Sequence, residues 1–420
     1  MDFLKELEWR GLLFDKSAGA EELLAKEVVT AYNGFDPTAD SLHVGSLLPL
    51  VCLARLQRAG HKPLALVGGA TGMIGDPSGK TAERSLLTRD EVAANVAGIR
   101  AQMELLLDVG GATGVEIVDN NDWFEGVGYI EFLRDIGKHF TVNQMVAKES
   151  VKRRMESEVG ISYTEFSYML LQSYDFLKLF ETKGCKLQCG GSDQWGNITA
   201  GMDLVHRVAG SSVHGITYPL LMNSSGTKFG KSEQGNVWLD PKRTSPYRFY
   251  QFWLNTEDRD VISHLKFFTF LGQEEIAAIA EKTESSPELR EAQKVLAQQV
   301  TEMVHGKSGF ENAVAASRVM FGESLANLSG EVIGQIVDDV PSGELANDQI
   351  GQVTILDLLE KSGLVNSRGQ GKDLLKSGGI YLNNEPVTDP GLTIQSTLVL
   401  PGGYIFLRKG KKNYFVFKLS

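Results

Sequence analysis

The sequence predicts an α/β protein in four stretches. These are a Rossmann-like parallel-sheet domain over residues 1–235, an all-helical domain over 236–325, an acidic linker over 326–350 and a small α+β domain over 351–420. Three observations lead there. The first half alternates short β-like runs with amphipathic helical stretches, the pattern left by crossover connections between parallel strands. After Ser245-Pro246 the apolar spacing is helical throughout. Beyond residue 350 two helical runs give way to short strand-like runs punctuated by glycine.

In order along the first half, strands are expected at Val28–Tyr32, Pro63–Gly68, Gly114–Val118, Lys186–Gln188 and Ile216–Leu221, with helices beginning near Ser46, Thr88, Tyr129, Thr164 and Asp193. The helical region divides at 246–255, 258–270, 273–282, 287–305 and 308–321. Glu331, Asp338, Asp339, Glu344 and Asp348, with no Lys or Arg among them and with Pro341 in their midst, suggest a partly helical linker. The tail reads as helices 354–362 and 368–377, then strands near 379–382, 397–400, 404–408 and 413–418.

At 420 residues the chain exceeds one ordinary core, so several domains are expected. No apolar run approaches the ~20 residues of a membrane span, and the charged Met1-Asp-Phe-Leu-Lys-Glu start is unlike a signal peptide. Cys52, Cys185 and Cys189 form no metal-ligand spacing, so no protein-held metal is expected. Sparse, odd-numbered thiols fit a reducing cytoplasm. A net charge of −11 argues against a nucleic-acid partner only on average, because residues 351–420 hold nine Lys/Arg against five Asp/Glu. Salt screens the acidic remainder beyond ~8–10 Å, so this tail can still meet phosphates.

Four stretches carry chemistry. Tyr32-Asn-Gly34-Phe-Asp36 runs through Thr38 to His43-Val-Gly45-Ser46, joining a strand end to a helix start. Ligands of open parallel sheets sit outside the carboxyl ends of strands. A helix N-terminus there offers N–H groups to phosphate, His43 could donate to a phosphoryl oxygen, and Gly34 and Gly45 permit close backbone approach. The plainer reading is a capped helix start with Ser46 as N-cap. Next, Gly68-Gly-Ala-Thr71-Gly-Met-Ile74-Gly75-Asp76-Pro-Ser78-Gly79-Lys80 invites a Walker A reading, but Ile74 stands where its first glycine is required. Asp76 would repel phosphate; it suits a cationic group such as an ammonium, or simply caps a turn.

Tyr168, Gln172 and Asp175 follow at i, i+4 and i+7, a polar stripe on one helix face among apolar neighbours. Such a stripe needs partners, either a structural network or a polar ligand. Gln188-Cys-Gly190-Gly191-Ser-Asp193-Gln194-Trp-Gly-Asn197 ends a strand, and Asp193 either caps the next helix or takes the hydroxyls of a ribose. Finally, Lys228 and Lys231 in Thr227-Lys-Phe-Gly-Lys-Ser232 form a pyrophosphate clamp or a solvated surface loop.

Taken in order, these motifs resemble the bacterial-type tyrosyl-tRNA synthetases. His43-Val-Gly-Ser46 stands where that group carries its HIGH signature, and Lys228-Phe-Gly-Lys231-Ser stands where it carries KMSKS. The resemblance extends to the C-terminal Leu407-Arg-Lys-Gly-Lys-Lys-Asn-Tyr414. It implies a nucleotide-binding sheet, ATP with Mg2+ as substrate, and transfer of tyrosine to tRNA(Tyr). Tyr32 and Asp175 would meet the phenol, Asp76, Tyr168 and Gln172 the ammonium, and Gln194 the carboxylate. Gly34, Asp36, His43, Gly45, Ser46, Gly191 and Asp193 would surround ATP. Lys228 and Lys231 would hold the leaving pyrophosphate, with Lys80 and Arg84 nearby. Ser46 departs from the family's usual longer side chain, and the expectation is that it serves mainly as a helix cap.

The tail resembles the small-ribosomal-protein type of RNA-binding domain, with Arg368, Lys372, Lys376, Arg408, Lys409, Lys411 and Lys412 facing tRNA. The resemblance also implies a homodimer, through Phe132–Phe140. Two alternatives stay open at this point: a tryptophanyl relative, and an RNA-binding protein that keeps the fold without the catalysis.

Overall fold

The structure, a computed structural model, describes residues 2–78, 86–156, 160–222, 229–232, 235–325, 328–337 and 339–420. These form two compact units. One comprises 1–240 and 256–292, the other 241–255 and 293–420. The helical stretch expected at 236–325 is thus shared between them.

The first unit is built on a six-stranded sheet. Its strands are β1 (Asp15–Lys16), β2 (Thr30–Phe35), β3 (Lys62–Val67), β4 (Glu116–Asp119), β5 (Cys185–Gly191) and β6 (His214–Tyr218), in the order β1-β6-β5-β2-β3-β4. All neighbours run parallel except β1, which pairs antiparallel with β6. Continuous apolar runs such as Leu64–Val67, buried on both faces, are what a parallel sheet covered by helices requires. The chain proceeds outward from β2 to β4, then returns to the other side of β2 to lay down β5. Strand order therefore reverses between β2 and β5, and a crevice opens at their carboxyl ends.

Each crossover helix is long enough to bury one face. Val44–Arg58 follows β2, and Tyr163–Lys183 leads into β5, ending at Gly184 in the left-handed conformation. Trp195–Ala209 follows β5 and packs closely on Tyr163–Lys183. The Asp258–Phe268 helix joins the same unit, and its carboxyl end meets two buried guanidinium groups. Arg10 donates to Lys266 O and Leu271 O at 2.8 and 2.7 Å, and Arg55 donates to Thr269 O at 2.8 Å. Cations at a helix C-terminus satisfy its orphan carbonyls and oppose its dipole.

The second unit contains the Pro246–Leu254 helix, the long Glu291–Met320 helix from Gln293 onward, kinked at Gly306, and a five-stranded sheet. Here the linker expectation needs correcting. Gly330–Val337 is a helix whose Val332, Ile333 and Ile336 are buried with Phe406, Tyr414 and Val416. Ser342–Leu345 is a strand pairing parallel with Asn413–Leu419. The acidic residues drew attention away from an apolar i, i+1, i+4 face between them. The strand expected near 397–400 is instead a short 3₁₀ turn at Ser396–Leu398, with Leu400 bridging to Tyr404.

Candidate active site

The crevice at the β2/β5 reversal is a cavity of about 650 Å³. Tyr32, Gly34, Asp36, His43, Gly45, Ser46, Asp76, Tyr168, Gln172, Asp175, Gly191, Asp193 and Gln194 all line it, as do Asn33, Thr71 and Gln188.

At its deep end Tyr32, on β2, and Asp175, on the Tyr163–Lys183 helix, are both buried. The Tyr32 hydroxyl has no hydrogen-bond partner among the described residues. Burial, then the nearby Asp175 carboxyl, push its pKa well up, so it remains a neutral phenol. Asp175 accepts from Trp123 Nε1 at 2.9 Å and from Asn120 Nδ2 at 3.2 Å. Burial nevertheless raises its pKa to about 8, those two donors opposing the shift and Asp36 and Asp119 adding to it. A buried phenol without a partner beside a carboxyl held by an indole and an amide is a receptacle for one more hydroxyl.

The motif reading missed Asn120 and Trp123. They follow β4 at the same edge of the sheet, so the rule that ligands gather at strand carboxyl ends would have pointed to Asn120-Asn-Asp-Trp123.

Midway, Asp76 accepts from Ser78 N at 2.9 Å and from Gln194 Nε2 at 2.6 Å. Tyr168 donates to Asp36 Oδ2 and Thr71 Oγ1 donates to Asp36 Oδ1, both at 3.0 Å. Asp36, expected beside the nucleotide, is therefore also a fixing point for Tyr168. The helix after β5 starts at Trp195, with Gln194 in the N-cap position and its side chain turned to Asp76. Asp193 lies in the preceding 3₁₀ turn, and the helix-cap reading for it falls away.

At the mouth the helix cap is His43, not Ser46. The helix starts at Val44, and His43 Nδ1 accepts from Gly45 N at 3.0 Å. A neutral ring whose Nδ1 accepts carries its proton on Nε2. Gly45 is required here, because a Cβ would stand 2.8 Å from the His43 ring. The expectation of open N–H groups is also corrected. Val44 N donates to Val237 O and Ser46 N to His43 O, at 2.9 and 2.8 Å. Donation at this end thus falls to side chains, aided by the helix dipole.

Of the lysine loop, Lys228 lies outside the described residues, as do Lys80 and Arg84. The backbone of Lys231 pairs with that of Asn236. Between the two lysines Phe229 is buried, stacked on Phe268 at 5.3 Å and edge-on to His264 at 4.9 Å. Gly230 has φ +89°, and a Cβ there would meet Val44 Cγ2 at 2.9 Å. Gly230 thereby sits against the helix that His43 caps.

In the second unit Lys372, Lys376, Lys411 and Lys412 are exposed, and Arg368 is exposed while paired with Asp357 and Glu360. Arg408 is different. It is buried, donates to Asn384 Oδ1 at 2.9 Å and Gly410 O at 2.7 Å, and lies 3.7 Å from the Tyr381 ring centre. It follows the buried Ile405, Phe406 and Leu407 on the strand and spends its donors inside the protein, so it braces the sheet instead of facing a phosphate. Lys409 is half-buried, with its ammonium 2.8 Å from Leu364 O.

Residues 24–322 match the family described as tRNA synthetases class I (W and Y), and residues 332–417 match the tyrosine–tRNA ligase SYY-like C-terminal domain. The chain is 51% identical to the tyrosine–tRNA ligase of Roseiflexus castenholzii over 99% of both chains. It is 49% identical to that of Geobacillus kaustophilus over all of both. Among solved structures, a C-terminally truncated mitochondrial tyrosyl-tRNA synthetase of Aspergillus nidulans superposes with a TM-score of 0.68 at 33% identity, over 76% of this chain and 94% of that one. With family matches across both units and half of all positions identical along the full length, this chain belongs to the class I tRNA synthetases of the tryptophan and tyrosine group, among the tyrosine–tRNA ligases.

Proposed function

We propose that the cavity between β2 and β5 is where the chain joins tyrosine to ATP, with the phenol at Tyr32 and Asp175 and the nucleotide at the His43 end. The chain is a tyrosine–tRNA ligase whose substrates are tyrosine, ATP and tRNA. The observation that carries the site assignment is the buried Tyr32 hydroxyl without a partner, beside Asp175. A tyrosine hydroxyl reaches both groups, whereas phenylalanine leaves the Tyr32 hydroxyl without a partner. A site built to hydrogen-bond a substrate hydroxyl strongly rejects the analogue that lacks it, because a buried polar group is then left unpaired.

In this reading Asp76, Gln172 and Tyr168 accept or orient the ammonium, and Gln194 reaches the carboxylate. That carboxylate is already ionised, so no general base is needed. One of its oxygens bonds to the α-phosphorus as the bond to the β-phosphate oxygen breaks, releasing pyrophosphate. His43 Nε2–H donates to the α-phosphoryl oxygens as charge builds, and Lys228 and Lys231 take the pyrophosphate. Gly34, Asp36, Gly191 and Asp193 border the adenosine, with Lys80 and Arg84 toward phosphate or tRNA. Magnesium arrives on the phosphates of ATP, where it neutralises charge. A terminal ribose hydroxyl of tRNA then attacks the tyrosyl carbonyl and AMP leaves. The exposed lysines of the second unit meet the tRNA backbone.

Tyrosine-dependent ATP–pyrophosphate exchange tests the assignment. Asp175→Ala must abolish exchange with tyrosine; exchange that persists at the parent rate removes the phenol site from this cavity. A homodimer through Phe132–Phe140 is supported by the exposed Leu133 and by Tyr129 and Ile130 just before that stretch. Sedimentation of Ile130→Asp, expected to run as a monomer, checks it.

A further inference from the structure

Asn197 lies in the first turn of the Trp195–Ala209 helix, 4% exposed and behind the cavity wall. Its Nδ2 stands 2.9 Å from Gln172 Oε1, 3.3 Å from Ser78 Oγ and 3.4 Å from Gln194 Oε1. These three partners come from separate pieces of chain: the helix before β5, the turn after β3 and the turn after β5.

The polarity of this cluster follows from its one unambiguous acceptor. An ionised carboxylate only accepts. Asp76 takes the Ser78 N–H on one oxygen, so the Gln194 amide that approaches the other at 2.6 Å must present its NH2. The Gln194 carbonyl then faces the opposite way, toward Asn197. A carbonyl facing Asn197 requires the NH2 of Asn197, and the same NH2 requires the carbonyl of Gln172. Orientation is handed from Asp76 through Gln194 and Asn197 to Gln172, with no choice left at any step.

We infer that Asn197 is a positioning residue for tyrosine, relaying to the Gln172 amide the orientation that Asp76 sets at Gln194. It turns a Gln172 carbonyl to the ammonium, while Asp76 leaves a second Gln194 N–H for the carboxylate. Without Asn197 the Gln172 amide would be nearly indifferent to a half-turn, since a primary amide is almost symmetric in shape. A zwitterion is not indifferent: a flipped Gln172 sets N–H against N–H. The inference rests on the placement of tyrosine proposed above.

The experiment replaces the donor by an acceptor of the same shape, Asn197→Asp, with Asn197→Ala as the companion should the charge unfold the protein. Melting temperature is followed throughout. Exchange is measured with tyrosine, and its inhibition with tyramine (ammonium, no carboxylate) and with 4-ethylphenol (neither group). Losing one charge-assisted contact corresponds to about 10- to 100-fold. The KM for tyrosine and the inhibition constant of tyramine should therefore rise by about that factor in Asn197→Asp, and by less in Asn197→Ala. The 4-ethylphenol constant and the KM for ATP should stay within about twofold of the parent.

An unchanged KM for tyrosine overturns the inference, as does an equal loss for 4-ethylphenol, which would mark a general collapse of the pocket. Failure of the underlying placement is distinguishable, because 4-ethylphenol would then not compete with tyrosine in the parent protein.

Discussion

Trp123 donates its indole N–H to Asp175 at 2.9 Å, yet the carboxyl still has a pKa of about 8 because burial outweighs the donors around it. A pKa above the unfolded value near 4 means that the native state holds a proton the unfolded chain releases. The associated stability is complete below about pH 4 and is lost as pH rises toward 8. The parent protein without substrate should therefore melt progressively lower from pH 5 to 8 at constant ionic strength. Asp175→Asn cannot titrate, so its melting temperature should fall less over that interval. Calorimetry of both proteins decides; parallel curves would assign the proton elsewhere.

Tyr32 stores the opposite kind of tension. Its hydroxyl is fully buried without a partner among the described residues, which costs about 1–3 kcal/mol. Tyr32→Phe removes that cost and keeps the edge-on contact with Phe176 at 5.4 Å. The variant should be about 1 kcal/mol more stable in urea titration while its kcat/KM for tyrosine drops about tenfold. Discrimination against phenylalanine should narrow as well. A destabilised Tyr32→Phe would mean that the hydroxyl is satisfied in the protein without substrate.

The parallel sheet was legible because buried strands such as Leu64–Val67 announce themselves as apolar runs between glycines. The polar stripe Tyr168–Asp175 was legible because helical spacing puts it on one face. Asn120, Trp123 and Asn197 were not, since each acts through another side chain and the contacts span long sequence separations. Arg408 misleads for a related reason: a run of basic residues looks uniform, but Arg408 ends the buried stretch of its strand while Lys411 and Lys412 lie beyond the strand and are exposed. Ser46 is of the type favoured at a cap, yet the His43 ring, with a lone pair in reach of Gly45 N, fills that place.

His43 caps its helix and, in the mechanism proposed above, also donates through Nε2, and substitution can separate the two. Asn is a good N-cap, so His43→Asn keeps an acceptor for Gly45 N but loses the reach of Nε2. Its stability should match the parent within about 0.5 kcal/mol, while His43→Ala loses about 1 kcal/mol. Both should slow tyrosine activation alike, by about 100- to 1,000-fold if one donor to the transition state is lost. Ser46→Ala, which removes no cap, should leave stability unchanged. Rapid-quench rates beside urea titrations resolve the two effects, and a His43→Asn variant with parental rate would remove Nε2 from the phosphoryl step.

The second unit changes how its role in tRNA charging must be tested. Deleting residues after 350 would leave Val332, Ile333 and Ile336 without the Phe406, Tyr414 and Val416 that cover them. It would also strip Val319 O of the Tyr414 hydroxyl at 3.0 Å and the Asn384 amide at 2.8 Å. Loss of charging in such a truncation would mix damaged packing with lost contacts. Charge reversal at the exposed Lys372, Lys411 and Lys412 avoids the confusion, since none is part of that core. The triple Glu variant should keep the parental melting temperature and parental tyrosine-dependent exchange. Its charging should need about tenfold or more tRNA, because each phosphate contact contributes roughly one unit to the slope of log affinity against log salt. Measuring the tRNA affinity at several salt concentrations checks this directly. A slope unchanged from the parent would place the tRNA backbone away from these lysines, and charging would then depend on other basic positions.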